Sequence, residues 1–355
     1  MKELRCGVVG LGRGRKFVEA FDAIDGCKTV AVCDKDANRL ADYPRLAAAT
    51  DYDAFLAEGL DVVAVISPGP VHADQSIRAM DSGAHVLCET PCVYSLEEAR
   101  DVIAATRRTG RQFMLAEDYP WFAWAQALKA RAAEGAFGKI VYAEGDYTHD
   151  CRDLMLADES GLVPYKQRHE HPGAKPTWRA TNLPPITYCS HTLGPLLDVM
   201  NDRVVSVVAL SPTGRPATDL AATDIESALM TTAGGSVIRL TNGFTLACPM
   251  SLYYSLIGTA GSARVVKDSR LSVRWYSELA DESMTGWADM PGDLSRRADG
   301  QDHLLAMVRD FIDCVAQGRP APIDVYRSMD FTLPGLLAHE SALAGGTKLD
   351  VPDLG

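Results

Sequence analysis

Over the first 118 residues, short apolar runs rich in Val and Ile alternate with stretches whose apolar residues recur at helical spacing. Cys6–Val9, Thr29–Cys33, Val62–Ile66, His85–Cys88 and Gln112–Ala116 are bounded by Gly, Asp or Pro and predict buried strands. Phe17–Ile24, Val71–Met80 and Leu96–Arg108 predict the helices between them. Strand alternating with helix requires right-handed crossovers, and so predicts a parallel, doubly wound α/β sheet covered on both faces. A further helix is predicted over Ala123–Glu134, closed by the turn Gly135-Ala136-Phe137-Gly138.

Beyond that turn the pattern changes. Ile140–His149 predicts a strand. Residues 150–186 are polar, contain five prolines and are too long for an idle connector, which predicts a functional loop. Tyr188–Met200 predicts a helix. Val204–Leu210, Ser227–Thr232, Ser236–Thr241, Leu252–Gly258 and Ala263–Val266 follow as consecutive strand-like runs, which predict a mostly antiparallel sheet. Asp302–Ala316 and Tyr326–Ala344 predict two late helices. The expected organisation is a doubly wound domain over residues 1–120 and an α+β substrate and oligomerisation domain over 121–355, with the late helices free to pack back on the first.

Composition narrows the classes of partner. The chain has 355 residues, is 47% hydrophobic and carries a net charge of -12 with no basic block, which argues against nucleic acid and anionic membrane surfaces. No apolar run reaches membrane-spanning length. Met1-Lys2-Glu3 leads directly into the first strand and leaves no room for a cleavable leader, and the nine cysteines form no CxxC. These features predict a cytoplasmic protein in a reducing compartment.

Candidate chemistry begins at Gly10-Leu11-Gly12-Arg13-Gly14, which follows the first strand and opens a helix. Glycines there allow a tight turn and let backbone N–H groups approach a pyrophosphate, the Rossmann arrangement. Arg15 stands where the third glycine of GxGxxG belongs. Asp34 ends the second strand, where a carboxylate accepts from ribose hydroxyls and repels a 2′-phosphate, so NAD is expected over NADP. Lys35 and Arg39 nearby weaken that preference, and a plain βα turn without ligand is the alternative.

Ser67-Pro68-(x3)-His72, then Gly83-Ala-His-Val-Leu-Cys-Glu89-Thr90-Pro91, and near the end Pro322-Ile-Asp324 and Gly335-Leu-Leu-Ala-His-Glu-Ser341, resemble the Gfo/Idh/MocA oxidoreductase family. The resemblance spans nearly the whole chain. It implies an N-terminal Rossmann domain, an open sheet that packs against another subunit as a homodimer or homotetramer, and Ser67, His72 and Glu89 at the nicotinamide half of the cofactor. The family's usual triplet is Glu-Lys-Pro, whose lysine serves as acid–base. Here Thr90 replaces it, and a threonine hydroxyl is no general base near neutral pH.

Other residues must then take the proton. Tyr147 and His149 lie two apart on a predicted strand, and Tyr188 and His191 three apart on a predicted helix, so each pair shares a face. Pro195, four residues after His191, cannot donate to that carbonyl and predicts a kink. Ordinary packing of amphipathic rings is the alternative for each pair. Ala143-Glu-Gly-Asp-Tyr147-Thr-His149-Asp, Trp178-Arg179 and Tyr188-Cys-Ser-His191-Thr-Leu-Gly194-Pro195 are similar to glycoside hydrolase family 109. That likeness implies tightly bound, recycled NAD, His191 acting on the sugar 3-hydroxyl, and Tyr147 at the C2 proton. It also implies His149 and Tyr188 orienting the sugar, and Trp178 and Arg179 against cofactor or ring.

Several features remain open. The Gly-His-Gly-Gly segment of many relatives is replaced by Asp299-Gly-Gln-Asp302-His303, and Arg152, Lys166 and Arg168 are either solvated loop charges or contacts for an anionic sugar. His169-Glu170-His171 offers two same-side ligands without an evident third, so no metal is expected. Trp121-Phe-Ala-Trp124 reads as core or as a sugar platform. The expected function is an NAD-dependent glycoside hydrolase working by oxidation at C3, elimination across C1–C2, water addition and re-reduction. The alternatives are a sugar or polyol dehydrogenase with His191 as base, and a non-catalytic NAD-dependent sugar sensor.

Overall fold

The computed structural model describes residues 3–159, 161–212, 220, 222–267, 270–280, 283–295 and 302–355. Its chain divides into two compact units, one of residues 1–121, 301–329 and 354–355, the other of 122–300 and 330–353. No helix among the described residues is long and apolar enough to cross a membrane.

The first unit is built on a six-stranded sheet of β1 (Leu4–Val9), β2 (Cys27–Cys33), β3 (Ala47–Ala49), β4 (Val62–Val65), β5 (His85–Cys88) and β6 (Phe113–Leu115), in the order 3-2-1-4-5-6. Every pairing is parallel. The order reverses direction at β1, so the loop after β1 lies at the switch point where such sheets bind ligands. The crossovers carry α1 (Leu11–Asp22), α2 (Ala37–Leu40), α3 (Tyr52–Leu56), α4 (His72–Asp81) and α5 (Leu96–Thr109). Helix α5 shows why these stretches are helical. Ser95 caps its start by accepting from Glu98 N, Glu97 and Glu98 occupy the first turn, Arg107 and Arg108 the last, and Gly110 closes it at φ 66. Strand β3 escaped the sequence reading because a run of alanines carries no strand signal. Helix α1 starts six residues before the expected Phe17, since its first turn is the glycine-rich segment.

The second unit begins with α6 (Ala123–Ala133) and β7 (Ile140–Thr148). The proline-rich stretch that follows folds into short 3₁₀ turns, a small sheet of β8 (Leu156–Asp158), β9 (Gly161–Leu162) and β10 (Lys175–Pro176), and helix α7 (Trp178–Asn182). A 3₁₀ turn at Pro185–Tyr188 then leads into α8 (Ser190–Met200). The expected single helix over Tyr188–Met200 is therefore broken, and Tyr188 sits on the turn ahead of it.

The main sheet adds β11 (Val204–Leu210), β12 (Ile225–Thr232), β13 (Val237–Gly243), β14 (Ser251–Gly258), β15 (Gly261–Lys267), β16 (Leu271–Ser277), β17 (Ala288–Asp289) and the late β18 (Leu349–Asp350). Its order is 17-16-15-14-7-13-12-11-18. It is antiparallel except at β13–β7, so β7 enters the middle of the sheet and the whole is mixed. The late helices are α9 (His303–Gln317), in the first unit, and α10 (Val325–Leu343).

Alternation along β7 aims Ala143, Gly145 and Tyr147 at the buried face, under α8. Gly145 sets the approach: a Cβ there would lie 3.2 Å from Thr192 O and 3.3 Å from Thr192 Cβ. Gly145→Val should therefore push α8 off β7. Overpacking of this kind costs about 1–3 kcal/mol, and a thermal melt should show it as a lowered midpoint; an unchanged midpoint would mean that the helix does not rest on this residue.

Candidate active site

The glycine-rich loop of the first unit meets the demands of a dinucleotide. Gly10 stands at φ 89, and a Cβ there would lie 2.5 Å from the Ile66 carbonyl, so no other residue fits. A Cβ on Gly14 would come 2.8 Å from Val8 Cγ1. Gly14 therefore supplies the close helix–strand packing that the missing third glycine usually gives, and Arg15 is left at the surface, paired with Asp42 at 2.9 Å. A Cβ on Gly12 would find only Arg39 Nη1, at 3.5 Å. Helix α1 has neither a side-chain cap nor an acid in its first turn, which suits an anion at that end.

Asp34 holds the loop to the end of β2. Leu11 N donates to its Oδ2 at 2.7 Å, Asp36 N to its Oδ1 at 2.9 Å, and Arg39 Nη1 lies 3.3 Å from Oδ2. Arg13 reaches from the loop to donate to Glu89 Oε2 at 2.9 Å, with Asp118 Oδ2 at 3.9 Å. His303 Nε2 lies 3.3 Å from the same Asp118 oxygen. The other Glu89 oxygen, Oε1, is buried with no hydrogen-bond partner among the described residues. An orphaned carboxylate oxygen beside a glycine cradle fits a hydroxyl or amide donor of a bound cofactor.

His72 is buried, with Nδ1 2.9 Å from Pro91 O and Nε2 2.7 Å from Ser67 O. Burial holds its pKa below the ordinary imidazole value. The ring lies between the loop after β4 and the loop after β5, its single N–H donating to one of the two carbonyls, while the Ser67 hydroxyl donates to Gln75 Oε1 at 2.5 Å. Thr90 is buried at the position where the family carries its lysine.

In the second unit, Tyr147, His149, Tyr188 and His191 come together as one cluster. The Tyr188 and His191 rings meet edge-on at 4.7 Å, Tyr147 and His149 at 5.1 Å, and Tyr147 and His191 edge-on at 5.4 Å. Phe244, which no motif marked, lies 5.8–5.9 Å from Tyr147, His149 and Tyr188. Its backbone carbonyl accepts from Cys151 N at 2.7 Å, so it ties β13 to the segment after β7. Pro195 explains another contact. Without an N–H it leaves the His191 carbonyl open inside α8, and Tyr254 O–H donates to that carbonyl at 2.6 Å. Tyr254 itself packs on Trp124, with ring centroids 4.6 Å apart.

Burial and the neighbouring His191 hold the His149 pKa below its ordinary value, against a smaller opposite pull from Asp150. The Cys151 thiol lies 3.3 Å from His149 Nε2 and is pushed up to about 12 by burial, so it stays protonated beside the imidazole at neutral pH. The Arg179 charge also acts on Cys151, and its guanidinium lies 4.7 Å from the Trp178 ring centre. Both residues open α7 in the second unit.

Arg152 and Arg168 are not solvated loop charges. They lie over the Tyr165 ring at 4.4 and 4.1 Å, and Arg152 is forked onto Asp150. Lys166 is exposed. His171 Nδ1 lies 2.7 Å from Asp158, and His169 Nε2 lies 3.5 Å from Glu170. Trp121 Nε1 donates to Asp310 at 2.6 Å within the first unit. Asp299 to Gln301 fall outside the described residues.

Residues 4–117 match the model of the oxidoreductase family with an NAD-binding Rossmann fold. Its Rossmann domain is that of the Gfo/Idh/MocA oxidoreductase family. NAD is the cofactor of this domain, and the chain that carries it is an enzyme. It is 28% identical to a glycosyl hydrolase family 109 protein of Streptomyces niveus, over 99% of this chain and 77% of that one. It is 24% identical to the alpha-N-acetylgalactosaminidase of Bacteroides fragilis, over 99% of this chain and 91% of that one. Levoglucosan dehydrogenase, solved with NADH and L-sorbose, shares the fold at a TM-score of 0.83 and 18% identity, over 100% of both chains.

The lowered pKa of His149 gives a pH prediction. The folded chain binds this proton less readily than the unfolded chain, whose histidines titrate at about 6.5. Its contribution to stability is therefore complete above that pH and is lost as pH falls below it. An NMR titration of the ring should find His149 below the ordinary value, moving upward in His191→Asn; an unshifted titration in the variant would mean that the two rings are not coupled.

Proposed function

We propose that the enzyme is an NAD-dependent glycoside hydrolase that cleaves by oxidation at sugar C3, elimination across C1–C2, addition of water at C1 and re-reduction at C3. The observation that carries this reading is the clustering of Tyr147, His149, Tyr188 and His191, proton-transfer groups on four positions of one unit, in a chain whose family lysine is Thr90. The family 109 relatives, matched over 99% of this chain, support it.

NAD held there would supply the hydride acceptor and donor, and its recycling within one turnover would leave the net redox change at zero. The α1 N-terminus with Gly10, Gly12, Arg13 and Gly14 would face its pyrophosphate, and Asp34 its adenosine ribose. Ser67, His72 and Glu89 would border its nicotinamide half. Trp178 and Arg179 would contact cofactor or sugar.

His191 removes the proton from the 3-hydroxyl as the ketone forms. The ketone acidifies the neighbouring C2–H, and Tyr147, reacting as its phenolate, takes that proton while the C1 substituent leaves. A proton returns to C2 as water adds to C1. His149 and Tyr188 bind and orient the sugar hydroxyls, with His149 kept neutral by its surroundings. No carboxylate pair of the ordinary glycosidase kind enters this scheme.

The chain works in a reducing, cytoplasmic compartment, consistent with free cysteines throughout. It assembles as a homodimer or homotetramer through the outward face of the main sheet. Exposed Leu210, Leu229, Val237, Ile257 and Val266 share that face with the Arg239–Glu144 ion pair.

The test is a screen of α- and β-p-nitrophenyl glycosides, neutral, acetamido and anionic, reading nitrophenol and NADH absorbance together. Nitrophenol without net NADH is expected, lost by about 100-fold or more in His191→Ala. Accumulation of NADH on free sugars without aglycone release would instead make the enzyme a dehydrogenase.

A further inference from the structure

The turn that carries Tyr188 is held from behind by a buried acid and one face of α10. Glu226, on β12, has a fully buried side chain. Its Oε2 accepts from Ile186 N at 3.2 Å, and its Oε1 lies 2.7 Å from His339 Nδ1. Ile186 belongs to the 3₁₀ turn that ends at Tyr188.

Phe331, Gly335 and His339 are spaced four apart on α10 and so share one face. Phe331 and Gly335 meet the turn directly, and His339 reaches it through Glu226. Cys189 Sγ donates to Phe331 O at 3.6 Å. A Cβ on Gly335 would lie 2.5 Å from Ile186 O and 2.7 Å from Cys189 Sγ, so the helix passes against this turn only because residue 335 has no side chain. His339 completes the row by pairing with Glu226.

A buried carboxylate is an expensive way to fill space. An apolar pair of similar volume packs as well without the desolvation penalty. What Glu226 adds is a directional acceptor for Ile186 N–H, in a turn where helix hydrogen bonding has not yet begun.

We propose that Glu226, His339 and Gly335 form a clamp that positions Tyr188 and His191 by fixing the backbone of 186–189. The clamp residues act through this backbone and are positioning residues. The inference rests on the proposed roles of Tyr188 and His191, and its test does not depend on them alone.

The experiment uses the full chain with ¹³C-labelled histidine rings, comparing wild type with Glu226→Leu/His339→Leu. The double variant removes the acceptor while leaving an apolar, packable pair. It should melt near the wild-type temperature and bind NAD as wild type does. Its His191 and His149 ring resonances should move, and turnover should fall by about 100-fold, the scale of a small displacement of a catalytic group. His339→Gln alone, with Glu226 in place to accept from its amide, should leave both readouts near wild type.

Unmoved His191 and His149 resonances, with turnover within about twofold of wild type, would overturn the clamp; a twofold change is smaller than any displaced catalytic group produces. If the double variant does not fold, His339→Ala tests the clamp from its other side, by removing the group that holds the Glu226 carboxylate, and should move the same ring resonances; His339 lies near the surface with its side chain 22% exposed. If the wild type cleaves no glycoside, the proposed reaction fails while the ring resonances still decide the clamp.

Discussion

Helix α8 has to lie close on strand β7, and much of the candidate chemistry depends on that contact. Gly145 permits it from the strand side. From the helix side, Pro195 interrupts the hydrogen-bond ladder and frees the His191 carbonyl, which Tyr254 takes at 2.6 Å. Thr192 adds a bond from its hydroxyl to Asn242 Oδ1 at 3.2 Å, and Asn242 is the residue paired with Tyr147 across β13 and β7. The helix is thus tied at two consecutive residues to β14 and β13, the strands that flank β7 and its Tyr147. A proline that would weaken an ordinary helix here converts a lost backbone bond into a side-chain anchor under the candidate base.

The electrostatics of the cluster follow from its composition. Imidazoles and phenols can be packed together because they are neutral at rest and ionise only as a proton is passed, whereas two carboxylates or a lysine in the same space would need partners. His149 is kept from protonating by burial and by His191. The Cys151 thiol against it remains a thiol. Such a set can pass protons to and from hydroxyls near neutral pH, which is the demand made by reversible oxidation of a sugar alcohol. The position that the family gives to lysine holds a buried Thr90, so in the proposed reaction the acid–base work moves to the second unit.

The fold was legible because its strands and helices carry strong periodic patterns with Gly, Asp and Ser at their ends; the Ser95-to-Gly110 helix is the plainest case. Strand β3, built from alanines, and β16 were not recognised, and the parallel β13–β7 pairing was not foreseen because it joins strands nearly a hundred residues apart. In the candidate site, two-residue and three-residue spacings brought out the Tyr and His pairs. They could not show that the pairs converge, nor that Tyr188 stands on a 3₁₀ turn and not on the helix. Phe244 and Tyr254 gave no local signal, since their importance comes from pairing across the sheet. Glu226 and His339 are 113 residues apart and meet only in the fold. The missing third glycine was resolved by packing: Gly14 already lies against Val8.

The central claim is that the glycosidic bond breaks through loss of the C2 proton while the C3 hydroxyl is transiently oxidised. The most direct measurement is turnover of a glycoside in D₂O, with the released sugar analysed by NMR. The account predicts deuterium at C2 of the product, introduced in step with cleavage, and protium retained at C3. Cleavage that leaves C2 fully protonated would contradict it.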